Sequence, residues 1–285
     1  MYTTLISATQ LQALLASEQP VMVFDCSFEL MTAGAGDLQY QQAHIAGAVR
    51  ADLDRHLSSQ DTSTAASGGR HPLPARETFA AWLSSIGFTN TMQAVVYDRQ
   101  GANYCGRLWW LLKWVGHEDV ALLDGGWQAW QDAGGATQGG TGTPTHAGTF
   151  VLTPARTALI ATATLAKQLG QSTQTIIDAR STPRFRGEVE PLDPVAGHIP
   201  GALNRPFNLN LDPDGKFKPA AQLRAEFETL LAGRAPATVV NHCGSGVSAV
   251  PNIIAMEIAG LGRSALYAGS WSEWCSDPAR PTAQG

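Results

Sequence analysis

The residue pattern best suited to chemistry in this chain is a cysteine that ends an apolar run and is followed at once by a glycine-rich turn. In Thr238-Val-Val-Asn-His-Cys-Gly-Ser-Gly-Val-Ser-Ala-Val250 the spacing predicts a strand that ends at Asn241 and a helix that begins near Val247. Cys243 then stands at the carboxyl end of a strand, where open α/β sheets take their ligands. Gly244 and Gly246 permit a tight loop, continued by Val247 and Ser248, whose backbone N–H groups converge as an anion nest. The dipole of the following helix adds partial positive charge. Both effects favour the thiolate, which is the nucleophilic form of cysteine. The same cradle would hold a persulfide anion. Taken alone, the segment also fits a structural turn that carries an incidental cysteine.

A rival chemistry for a cysteine in such a loop is phosphate-ester hydrolysis. It needs an arginine after five intervening residues to fork the phosphate. Position 249 is Ala and the next arginine is Arg263, which argues against that reading. Cys26, Cys105 and Cys275 lack any Cys-x-x-Cys spacing and read as buried, inert thiols. Neither a metal-ligand cluster nor a dinucleotide fingerprint is visible, so no cofactor is expected.

The 285 residues suffice for two domains. Charged residues make up 15% and the net charge is −5, which excludes a general basic footprint for nucleic acid. No apolar run is long enough to span a bilayer, and the opening residues resemble a capped amphipathic helix starting at Ser7 or Thr9 more than a leader peptide. A cytoplasmic protein is expected.

The elements that position Cys243 occur twice. Val95-Val-Tyr-Asp98 aligns with Val239-Val-Asn-His242 at an offset of 144, and the same offset relates Gly116 to Gly260, Trp127 to Trp271 and Trp130 to Trp274. At that offset Arg99 falls opposite Cys243. Upstream, His44-Ile-Ala-Gly-Ala48 echoes His198-Ile-Pro-Gly-Ala202, and both histidines read as structural. Candidate strands are Val21–Asp25, Ala94–Asp98, Val120–Asp124, Thr175–Asp178, Thr238–Asn241 and Ala265–Ala268. Helical spacing covers Arg76–Ile86, Tyr104–Val115, Ala220–Leu231 and Val247–Ala259. Such alternation predicts an α/β protein with mainly parallel sheets flanked by helices. The expected domains are 1–135 and 155–285, joined by a Gly/Thr-rich linker at 136–154.

His-Cys-Gly-Ser-Gly-Val-Ser at 242–248 resembles the catalytic loop of 3-mercaptopyruvate sulfurtransferases, within the two-domain rhodanese superfamily. Gly197-His-Ile-Pro-Gly-Ala202 and Gly269-Ser-Trp-Ser-Glu-Trp274 resemble two further signatures of that family. The resemblance implies two rhodanese-like domains, of which only the second is catalytic, with substrate in the cleft between them. It implies that Cys243 carries sulfur as a persulfide from 3-mercaptopyruvate to a thiol or cyanide, a thioredoxin-like reductant being one such acceptor. It implies a relay of Ser245, His71 and Asp54 beside the cysteine, and an arginine for the substrate carboxylate. Arg184 matches that position, with Arg180 and Arg186 as close rivals. The family often carries a second such arginine where this chain has Asp193. Transfer from thiosulfate, and a non-catalytic sulfur-carrier or interaction module, are the alternatives.

Overall fold

In the computed structural model, which describes residues 1–142 and 146–285, the chain divides into two compact units. The first comprises Met1–Gln60, Pro74–Arg156 and Pro213–Phe217. The second comprises Asp61–Leu73, Thr157–Asp212 and Lys218–Gly285. Three residues of the expected linker, 143–145, lie outside the described residues. The rest is not a free tether. Thr137–Gln138 pairs antiparallel with His44–Ile45, and Gly148 and Phe150 donate to the Ser84 carbonyl and hydroxyl.

The first unit is built on a parallel sheet in the order Leu5–Ile6, Val120–Leu123, Gln93–Tyr97, Val21–Asp25, Val49–Arg50. The second repeats it with Ala265–Leu266, Val239–His242, Thr175–Asp178, Leu203–Asn204. The β-branched runs are buried on both faces, as parallel strands covered by helices must be. In each unit two tryptophans close the core, Trp127 and Trp130 in one and Trp271 and Trp274 in the other. The first helix, Ala8–Leu15, starts at Ser7 in a reciprocal capping box with Gln10.

Two expectations shift. The helix after the cysteine loop runs Val250–Ile258, three residues later than predicted, because 244–249 stays in a turn and Pro251 sits in the helix's first turn, where no donor is missed. The ungapped offset of 144 also fails locally. Val95 lies opposite Ala121 and Val240 opposite Ala265, so the central strands correspond at 145 while their neighbours correspond at 144. The helix Cys105–Trp114 has 10 residues where Val250–Ile258 has 9, and that extra residue absorbs the slip. The residue that corresponds to Cys243 is therefore Asp98, and Arg99 corresponds to Gly244.

Candidate active site

The Cys243 loop is held by the helix Ser270–Trp274. The Cys243 carbonyl accepts from Trp271 N–H at 3.0 Å and the Gly244 carbonyl from Ser272 N–H at 2.9 Å. The Cys243 N–H donates to Ser270 Oγ at 3.0 Å, and that hydroxyl donates to the Tyr267 carbonyl. Gly246 has φ 76°, and a Cβ there would collide with the Ala268 carbonyl, so only glycine lets the loop lie against the next strand end. Gly244, Gly246 and Val247 are buried with Cys243, which is 2% exposed, and Ser248 is half-buried.

Beneath the loop lies a buried charged lattice. Asp178 is bound through both oxygens by Arg180, whose guanidinium also reaches Glu190 and the Gly197 carbonyl and stacks 4.8 Å from the Trp271 ring. Desolvation would raise the Asp178 carboxyl, yet its charged neighbours and Arg180 hydrogen bonds hold it below the ordinary value. Burial pushes the His242 imidazole down, against the pull of Asp178. Every nitrogen of the Arg180 guanidinium thus has a protein partner, and the group is a structural cation. Arg186 is more than half exposed and faces Glu188 at 3.7 Å.

Arg184 is placed differently. Its Nε and Nη2 bind Glu190, and Nη2 also reaches Asp193 at 3.2 Å. Nη1 lies 3.5 Å from where a Cβ on Gly244 would stand. A second guanidinium, which the sequence did not single out, meets it there. Arg70 Nη1 binds Asp193 at 2.6 Å, and its Nη2 lies 3.1 Å from the same point. The only sequence signal for Arg70 was its position between a Gly-Gly turn and His71. The segment that carries it docks on the Ser270–Trp274 helix through Arg70 N–H to Ser272 Oγ, 3.0 Å.

His71 Nδ1 is 2.7 Å from Ser245 Oγ, and both residues are buried. The structure thus brings together two of the three expected relay residues within the second unit. Asp54 belongs to the first unit, where desolvation and Asp52 raise its carboxyl above the ordinary range. Burial likewise pushes the thiols of Cys26, Cys105 and Cys275 up.

The corresponding loop of the first unit holds an anion. Asp98 is 1% exposed, and its carboxylate accepts from the amides of Gln100, Ala102, Tyr104 and Cys105 at 2.8–3.0 Å. It is an anion nest filled by its own side chain. Arg99 lays its guanidinium 4.5 Å from the Trp127 ring and binds Asp25 at 3.1 Å, the place that Arg180 takes in the second unit. His44 stacks on Tyr40 and His198 on Phe185, each bonded to a carbonyl, as structural histidines.

Fold and site define a duplicated parallel α/β protein with a strand-end cysteine loop in one copy and an acidic counterpart in the other. The rhodanese-like domain model matches residues 7–133 and 161–277, and the chain belongs to that family. It is 47% identical over 282 residues (99% of this chain, 98% of the relative) to a Pseudomonas aeruginosa protein named "Probable 3-mercaptopyruvate sulfurtransferase". It is 33% identical over 290 residues (92% and 81%) to "Thiosulfate/3-mercaptopyruvate sulfurtransferase 2" of Arabidopsis thaliana. The crystal structure of SseA from Escherichia coli, described among 3-mercaptopyruvate sulfotransferases, superposes with TM-score 0.79 at 30% identity, over 95% of this chain and 100% of that one. Among the described residues no helix is long and apolar enough to cross a membrane.

Proposed function

We propose that this chain transfers sulfur from 3-mercaptopyruvate through a persulfide on Cys243. The observation that supports this most is the correspondence of Cys243 with Asp98. The corresponding loop of the first unit holds an anion at that position, and this loop places a nucleophile there. The Cys243 thiolate attacks the sulfur of the donor. The C–S bond breaks with its electron pair passing to carbon, and the resulting enolate takes a proton to become pyruvate. Cys243 keeps the sulfur as a persulfide and passes it to a thiol or to cyanide, regenerating the thiolate. Splitting the transfer in two is covalent catalysis.

Ser245 and His71 are the proton carriers of this scheme, since their 2.7 Å contact lets a proton pass between hydroxyl and imidazole. Arg184 receives the donor carboxylate through Nη1. The step needs neither Arg180 nor Arg186, and the resemblance alone carries the role of Asp54. Four free, buried cysteines, three of them with thiols pushed up in pKa, suit a reducing cytoplasm.

The test is intact-mass analysis after exposure to 3-mercaptopyruvate or to thiosulfate. One added sulfur on Cys243 with pyruvate released, absent in Cys243→Ser, supports the reading. Loading by thiosulfate alone would give the donor role to thiosulfate. No adduct from either donor would leave a non-catalytic sulfur-carrier or interaction module.

A further inference from the structure

We infer that Arg70 is the second guanidinium of the donor-carboxylate site, and that Asp193 is the clamp that sets its spacing from Arg184. The inference rests on the proposed transfer from a 2-keto acid thiol and names the residues that would make it selective.

Asp193 is 4% exposed at its side chain, yet it carries two positive partners, one on each oxygen. Oδ1 takes Arg70 Nη1 at 2.6 Å and Oδ2 takes Arg184 Nη2 at 3.2 Å. One carboxylate thus ties the two guanidiniums together, one through each oxygen. Asp193 and Glu190 leave over Nη1 of Arg184, and Asp193 leaves over Nη2 and Nε of Arg70. Nη2 of Arg70 and Nη1 of Arg184 lie 3.1 and 3.5 Å from a single point beside Gly244, the residue next to Cys243.

Two further facts point to a ligand. Arg70 Nε is buried and has no hydrogen-bond partner among the described residues. Burying an unpaired donor costs free energy, so such groups are expected to meet a partner at some stage of function. The rest of the cluster is neutralised: Arg180 by Asp178, and Arg184 by Glu190 and Asp193. A site balanced in this way has no surplus field for a dianion. It offers a short row of oriented N–H donors, which fits the planar fork of a carboxylate. Asp193, which stands where the resemblance led one to expect an arginine, therefore relocates the second guanidinium to the loop before His71.

The experiment compares wild type, Arg70→Ala and Arg70→Lys by steady-state kinetics with 3-mercaptopyruvate and with thiosulfate. Pyruvate product inhibition serves as a readout of carboxylate binding that needs no turnover of the variant's own donor. Loss of a charge-assisted contact should raise KM for 3-mercaptopyruvate and weaken pyruvate inhibition by roughly ten- to hundred-fold. The value of kcat should change much less. Arg70→Lys should recover part of the loss, and thiosulfate should respond little. Equal losses with both donors, or unchanged pyruvate inhibition, would overturn the assignment. Failure of the underlying transfer would appear separately, as wild-type enzyme that takes no sulfur from 3-mercaptopyruvate. Circular dichroism of each variant checks that the fold is kept.

Discussion

Ser270, whose own backbone is left-handed at φ 55°, accepts through Oγ from the Cys243 N–H, with N and O 3.0 Å apart. The matching residue of the first unit is Gly126, at φ 56°. A non-glycine residue in that region costs about 1–2 kcal/mol, so the hydroxyl offsets a strain that glycine would avoid. Ser270→Ala keeps the strain and orphans a buried N–H, which costs about 1–3 kcal/mol more. Ser270→Gly removes both strain and acceptor. Thermal unfolding should therefore rank wild type above Gly and Gly above Ala, with sulfur loading slowed in both variants. Alanine proving the milder change would refute this account of the loop.

The His71–Ser245 contact gives a kinetic expectation. His71→Asn and Ser245→Ala should each lower kcat by about 10²–10⁴, the usual range for a lost proton carrier. If the pair acts as one unit, the double variant should be little worse than the poorer single one. Multiplicative losses would mean that the two residues act separately.

Arg180 and Arg184 should behave differently. Arg180→Met leaves Asp178 and Glu190 buried beside an apolar chain, and removing one partner of such an ion pair costs about 3–5 kcal/mol. Urea unfolding should register most of that loss, with KM little altered in whatever folds. Arg184→Ala should show the converse, a raised KM for 3-mercaptopyruvate at modest cost in stability. Stability lost equally in both variants would remove the distinction.

Glu226 supplies a pH dependence. Desolvation opposes its ionisation, but Arg205, Lys218 and Gln222 bring its carboxyl down to about 2. A carboxylate depressed in the fold stabilises above its ordinary value near 4.5 and loses that contribution as pH falls toward 2. The group is partly exposed, so the effect is modest. Glu226→Gln should melt below wild type at neutral pH, and the two curves should converge as pH falls from 4.5 to 2. A gap that does not vary with pH would contradict the linkage.

The sequence carried the sheet strands well because buried parallel strands are short β-branched runs; Val21–Asp25 and Thr175–Asp178 match to the residue. Ser7 was legible as a cap because its partner Gln10 is local. The correspondence of Asp98 with Cys243 was hidden. An ungapped offset cannot register a residue absorbed inside a helix, where one more residue only lengthens the last turn. Arg70 was hidden for a different reason. Its partner Asp193 is 123 positions away, and no local period links the two. Arg180, Arg184 and Arg186 looked alike in sequence because only burial and ion pairing separate them.

The Asp98 loop has a consequence for observing catalysis. A carboxylate cannot be discharged by turnover, so under the proposed transfer the first repeat holds permanently the kind of charge that a loaded Cys243 would carry only for part of the cycle. On that proposal the Asp98 loop is an internal reference for the loaded state. The amides of Ser245, Val247 and Ala249, counterparts of Gln100, Ala102 and Tyr104, should close on the terminal sulfur of loaded Cys243 as those three close on Asp98. Their NMR shifts should move toward those of the first loop upon loading and return on discharge.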